Sequence, residues 1–209
     1  MYHPIDYIDG CLAVRAYDRG GMGRIICVGD DVREVVPESR EYMDSAATLG
    51  DKIASIYIDP DYYFEKIYFY DLKGNRLGIY VPEYPSSIYV YVDQAFSGEL
   101  IVELTSFVQR YRVVRISSNL ETMVIKESGV HKNFVVEHKY ARSHDGTRIH
   151  YFIVRKKDST QHRAILYGYG GFGIPFTTES LALQGGDGFI SFQVFVFGGA
   201  LWPLAMRGC

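Results

Sequence analysis

The amino-acid sequence predicts a mainly β protein, and three observations carry that reading. Aromatic residues make up 15% of the 209 positions, with 18 Tyr and 12 Phe, and such side chains suit the half-buried pleated surface of a strand. From about residue 12 to residue 125, short apolar or alternating runs follow one another with little helical period, as closely spaced strands do. Turn-forming Gly, Asn and Asp sit between the runs, each able to reverse the chain locally.

In chain order the predicted strands are Leu12 to Tyr17, Arg24 to Val28, Val32 to Val36, Lys52 to Ile58, Phe64 to Asp71, Leu77 to Val81, Ile88 to Val92, Leu100 to Phe107, Arg110 to Ile116 and Thr122 to Lys126. Residues before Leu12, His3 among them, read as a loose N-terminus. The Asp71-Leu72-Lys73-Gly74-Asn75 run is a typical link, because Gly and Asn accept the positive φ of a tight turn. Asp51 to Tyr91 has the run of a propeller blade: three strands in quick succession, a Gly-containing turn and a Pro-bounded crossing. At roughly 40–45 residues per blade, residues 1 to 126 supply two to three blades, too few for the roughly 4–8 of a closed ring. An open sandwich or barrel has similar strand spacing, so pattern alone leaves both architectures standing.

The polar stretch Glu127-Ser128-Gly129 marks a boundary, dividing the chain into 1–128 and 129–209. A strong hairpin follows it. Phe134 to Arg142 and Thr147 to Val154 alternate on either side of Asp145-Gly146, the dipeptide that a type I′ turn prefers. After the polar loop Lys156 to Gln161, the continuous apolar run Ala164-Ile165-Leu166-Tyr167 suits a strand buried on both faces.

Composition narrows the function classes. With 47% apolar and 22% charged residues, the chain has the make-up of a folded domain rather than a disordered one. Net charge is −3 and the basic residues are scattered, which argues against nucleic acid as a partner. The N-terminus has no basic and apolar leader, and no run of 18 uncharged apolar residues occurs, so the expectation is a cytoplasmic protein with no membrane partner. Cys11, Cys27 and Cys209 are odd in number and widely spaced, and are read as plain thiols.

The most informative run is Tyr167-Gly168-Tyr169-Gly170-Gly171-Phe172-Gly173. Gly168, Gly170 and Gly173 satisfy G-x-G-x-x-G after a strand, but a dinucleotide site also needs a helix to open there. Ile174-Pro175 and then Gly185-Gly186 stand against such a helix. A plain Gly-rich surface turn with packed aromatics is the simpler alternative.

Three motifs in order change that balance: Ser143-His144-Asp145-Gly146-Thr147, then Phe152-Ile153-Val154-Arg155-Lys156-Lys157, then Leu166 to Phe172. Together they resemble the start of the hydrolase domain of the prolyl oligopeptidase family of serine peptidases. Upstream, Arg33-Glu34-Val35-Val36-Pro37-Glu38, Asp71-Leu72-Lys73-Gly74, Val81-Pro82 and Leu104-Thr105-Ser106-Phe107 resemble that family's last propeller blades. The likeness covers about residues 10 to 176. It departs at Val108-Gln109-Arg110, where the family usually has a proline, and again over the last thirty residues, where Gly185-Gly186-Asp187-Gly188 replaces the usual continuation. Such an ending is expected of a gene interrupted by a frameshift or premature stop, or of a shortened chain.

The resemblance implies a partial β-propeller followed by the N-terminal hairpin and first buried strand or strands of an α/β-hydrolase domain. It also implies a serine endopeptidase that cleaves short peptides after proline, with no metal or organic cofactor. Tyr169 matches the family tyrosine whose hydroxyl donates to the oxyanion of the tetrahedral intermediate, a donor of the kind worth about 2.7–4 kcal/mol in the transition state. The nucleophile elbow G-x-S-x-G occurs nowhere in the sequence, so nucleophile, acid and base are expected to be missing and the chain to be inactive alone. His131, His138, His144, His150 and His162 read as exposed or edge-strand residues of the hairpin region. A rival reading is a non-catalytic module that takes up a peptide or partner chain along open blade edges. Phe189 to Ala205 carries no charge and includes Phe192-Gln193-Val194-Phe195-Val196-Phe197, which has the character of a self-pairing segment. Self-association of the chain is therefore expected.

Overall fold

A computed structural model describes residues 1–62, 64–94, 98–158, 165–167, 178 and 193–196. Its first three sheets are four-stranded antiparallel meanders in sequence order. The first holds β1 (Tyr2–Ile8), β2 (Cys11–Ala16), β3 (Arg24–Val28) and β4 (Val32–Val36). The second holds β5 (Tyr42–Leu49), β6 (Lys52–Ile58), β7 (Glu65–Asp71) and β8 (Arg76–Tyr80), and the third β9 (Ser86–Gln94), β10 (Glu99–Ser106), β11 (Arg112–Ser117) and β12 (Thr122–Glu127). The leading strands lie side by side, β1 against β5 and β5 against β9, and Thr48 of β5 donates to the Asp6 carboxylate of β1 at 2.9 Å. The trailing strand β12 is exposed along its whole length. Leading strands gathered inward and trailing strands turned outward are the arrangement of successive propeller blades. The sandwich and barrel alternatives drop out.

The core lies between blades rather than within them. Cys11, Ile25, Cys27, Val35 and Val36 of the first blade pack on Met43, Ile53 and Tyr57 of the second. Ala54, Ile56, Ile67 and Phe69 face the other way, onto Ile88, Leu100, Val102, Leu104, Val114 and Ile116 of the third. Strand alternation sends odd residues of β6 to one neighbour and even residues to the other, which is why Ile53 to Ile58 is buried throughout. Each fully buried aliphatic side chain contributes about 1.5–3 kcal/mol, so the middle blade is held from both sides.

The structure differs from the sequence reading at several points. There are twelve blade strands, not ten: β1 and β5 were not expected, and His3 lies in β1 rather than in a loose end. Cys11 and Cys27, expected as thiols, are joined in a disulfide with Cα atoms 5.6 Å apart. The pairing Ala13↔Cys27 in the β2–β3 register brings the two sulfurs together, a proximity that a sixteen-residue spacing does not announce.

β13 (Phe134–Arg142) and β14 (Arg148–Lys156) form the expected hairpin. Its turn is not type I′: Gly146 donates to the Ser143 carbonyl at 3.0 Å and Ser143 to the Thr147 carbonyl at 2.9 Å. Only Gly146 in this turn has positive φ, at 85°, which makes it a type I turn closed by a left-handed glycine. Beyond β14, the fourth sheet runs β13-β14-β16-β15, with β15 at Ile165–Tyr167 and β16 at Gln193–Val196. β16 pairs antiparallel with β14 and parallel with β15, and Gln193, Val194 and Phe195 have partners on both sides. No helix occurs among the described residues, and none of them forms a helix long and apolar enough to cross a membrane.

Candidate functional site

Tyr169, the predicted oxyanion donor, and the glycines around it lie outside the described residues. The flanking framework is described. β15 ends at Tyr167, two residues before it, beside its parallel neighbour β16. Thr178, a little beyond the Gly-rich run, is buried, and its carbonyl accepts from the Ser87 hydroxyl of β9 at 2.9 Å. Thr178 is therefore fastened to the leading strand of the third blade.

The hairpin is joined to the blades at two places. Phe107, which follows β10, packs on Phe152 with ring centroids 5.2 Å apart, and Val154, Phe134 and Val136 complete that small core. At the second place the turn after β6 meets the hairpin: the Tyr140 hydroxyl donates to the Asp61 carbonyl, and the Tyr62 ring lies 6.4 Å from that of His138.

That turn is itself tightly built. One Asp59 carboxylate oxygen accepts from the amides of Asp61 at 2.9 Å and Tyr62 at 3.0 Å. The other accepts from the Lys66 ammonium at 2.8 Å, and Lys66 also reaches Glu41 at 2.8 Å. Burial works against the Lys66 charge, but the hydrogen bonds to Asp59 and Glu41 outweigh it and hold the ammonium above its ordinary range.

The histidines sort differently from the sequence reading. His144 and His131 are exposed as expected, and His162 lies outside the described residues. His150 is only 4% exposed and sits on β14, an interior strand. Burial first, and then His138 beside it, lowers its pKa to about 3. Its ring is 5.7 Å from that of His138, which stacks at 4.9 Å on Phe152. Opposite registers explain the grouping: His138 pairs with Phe152, and Tyr140 with His150, so all four rings share one face of the hairpin.

A second group that the sequence did not single out lies where the second blade meets the third. Glu65 is 3% exposed, and its carboxylate accepts from the Ile88 amide at the start of β9. Burial, reinforced by the negative Asp44, pushes its pKa up to about 8. No group of three or more His, Cys, Asp or Glu side chains among the described residues is placed to hold a metal ion.

Comparison with known proteins extends this picture. No family model matches the sequence. Prolyl oligopeptidase A of Galerina marginata (strain CBS 339.88) is 27% identical over 187 residues, an alignment covering 80% of this chain. The chain is similar to members of the prolyl oligopeptidase family. It spans 25% of the length of that relative. Among solved structures, prolyl oligopeptidase B from Galerina marginata, bound to a 35mer hydrolysis and macrocyclization substrate, matches with a TM-score of 0.79 at 18% identity, covering 93% of this chain and 30% of its own. Oligopeptidase B from Leishmania major matches with a TM-score of 0.78 at 16% identity, covering 96% of this chain and 32% of its own. At these identities the two structures speak for the fold, which is that of the β-propeller region of prolyl oligopeptidases. The sequence relation adds kinship to a protease family.

Proposed function

We propose that this chain forms part of a prolyl oligopeptidase-type serine endopeptidase that cleaves short peptides after proline. Residues 1–128 supply propeller blades, and residues 129–209 supply the opening hairpin and first buried strands of an α/β-hydrolase domain. The observation that carries the reading is the ordered set of motifs Ser143 to Thr147, Phe152 to Lys157 and Leu166 to Phe172, in a chain kin to prolyl oligopeptidase A. The change of sheet between Glu127, which ends β12, and Phe134, which opens β13, supports the domain division. Tyr169, two residues beyond the end of β15 in the sequence, serves as the hydroxyl donor to the tetrahedral oxyanion.

The 209 residues contain no G-x-S-x-G elbow, and an oxyanion donor does not replace a nucleophile and its base. The purified chain therefore leaves a Gly-Pro reporter peptide unhydrolysed. Turnover above buffer that is abolished by a serine-directed fluorophosphonate would overturn this. Reading the gene beyond codon 209 in all three frames tests the wider proposal: a G-x-S-x-G elbow followed by Asp and His is the expected find. Its absence favours a binding module that uses blade edges, for which the fully exposed edge strand β12 is the specific candidate.

A further inference from the structure

We propose that the contact between the 59–62 turn of the second blade and the β13–β14 hairpin is a proton-sensitive latch, closed while His138 is neutral and released when it is protonated. The inference goes beyond the peptidase reading and rests on geometry that holds whether or not the chain takes part in catalysis. The contact has two elements with separate anchors. The turn is fixed to its own blade by Asp59, which binds two turn amides and the buried Lys66. The hairpin meets it through Tyr140, which donates to the Asp61 carbonyl, and through His138, which lies against Tyr62.

His138 is the group in this contact that changes charge near neutral pH. Its surroundings favour the neutral form. Around it stand Tyr140 on its own strand at 4.7 Å, His150 at 5.7 Å and Phe152 at 4.9 Å from β14, and Tyr62 from the turn. Its Nε2 is buried and has no hydrogen-bond partner. The charged group acting on it is Arg148, whose guanidinium lies 3.3 Å from the centre of the Tyr140 ring. Glu137 and Lys139, its sequence neighbours, alternate to the opposite face, where Glu137 accepts from Arg155. Protonation would thus place an N–H without an acceptor, and a second positive charge beside Arg148, inside an aromatic contact. The nearest way to hydrate that charge is to part the hairpin from the turn, since Tyr62 covers it from the blade side.

Burial, and then Arg148, lowers the His138 pKa below its ordinary value. The sign follows: with a lower pKa when closed than when open, the closed form is fully favoured above the open-state pKa and is lost as pH falls below it. One pKa unit between the two forms is a factor of about ten in the opening equilibrium. His150 titrates lower still, at about 3, and stays neutral across the range where His138 acts.

The test is amide hydrogen exchange on the intact chain at pH 7.5 and pH 5.0, corrected for intrinsic exchange rates. Protection at residues 60–62 and 138–150 is expected to fall at the lower pH, while β6 and β10 amides hold. The midpoint should coincide with the Cε1–H titration of His138 followed by NMR. His138→Phe and His138→Gln should each abolish the pH step. Tyr140→Phe should loosen the contact at both pH values and keep the step. Equal protection at the two pH values, tighter protection at pH 5.0 from an imidazolium over the Tyr62 and Phe152 rings, or a step that survives in either folded His138 variant would overturn the proposal.

Discussion

Glu65 shows how a single residue's chemistry is set by a place in the fold that its sequence neighbours do not reveal. Nothing in Phe64-Glu65-Lys66 marks it, yet closure of the third blade over it leaves the carboxyl 3% exposed beneath the Ile88 amide. An unfolded glutamate titrates near 4.3, and burial with Asp44 nearby moves the folded value up to about 8. Between those values the native state holds a proton that the unfolded state has released, so stability falls as pH rises through that window. Glu65→Gln keeps an acceptor for Ile88 and removes the titration. Its urea midpoint should match the parent near pH 4 and exceed it at pH 8, by of order 1 kcal/mol or more; equal midpoints at pH 8 would mean that the carboxylate is solvated. His150 was misread for a related reason. Alternation places it on one face with Phe152, His138 and Tyr140, but what covers that face comes from Phe107 and from a turn some eighty residues upstream.

Among elements, most strands were legible, since Arg24–Val28, Val32–Val36 and Lys52–Ile58 match their predicted bounds. The two that were missed are both leading strands. β1 carries Pro4 inside it, and all of its residues are exposed or half-buried, so neither pattern nor propensity announces it. β5 reads Tyr-Met-Asp-Ser-Ala-Ala-Thr-Leu; its small and acidic residues are poor strand formers but suit the crowded ground between β1 and β9. Turns were placed well and typed less well. Gly74 closes the Asp71–Asn75 turn at φ 87°, where a Cβ would lie 2.1 Å from the Val35 carbonyl oxygen of the first blade. That obstruction is backbone and has no rotamer to yield. Gly74→Ala should therefore cost more than the roughly 1 kcal/mol of a left-handed alanine alone, about 2–4 kcal/mol in a urea titration; a loss under 1 kcal/mol would show that the two blades shift apart freely at this turn.

For the whole molecule, the blades are coupled because each core belongs to two of them. Ile56, on the face of β6 that meets the third blade, is fully buried, while Ile53 and Tyr57 on its other face meet the first. Ile56→Ala should cost about 2–5 kcal/mol and lower one shared transition, so that circular dichroism and hydrogen exchange in all three blades move together. Separate midpoints for the first and third blades would show that the middle blade does not couple them. The blade count was legible to within one blade, since residues 1 to 126 were expected to supply two to three. The peptidase reading rests on resemblance alone, because Tyr169 has no local pattern that distinguishes an oxyanion donor from a packed aromatic.

The position of β16 has a consequence for the order in which a nascent chain can be finished. Each blade is a meander of consecutive strands, so it can close as soon as its own residues have left the ribosome. The fourth sheet cannot, because Gln193–Val196 fills the slot between β14 and β15, both of which are translated first. Until residue 196 emerges, β14 is paired on its β13 side and bare on the other. That interval is when a growing chain is most open to pairing with a neighbour on the same polysome, and slower translation after residue 167 would lengthen it.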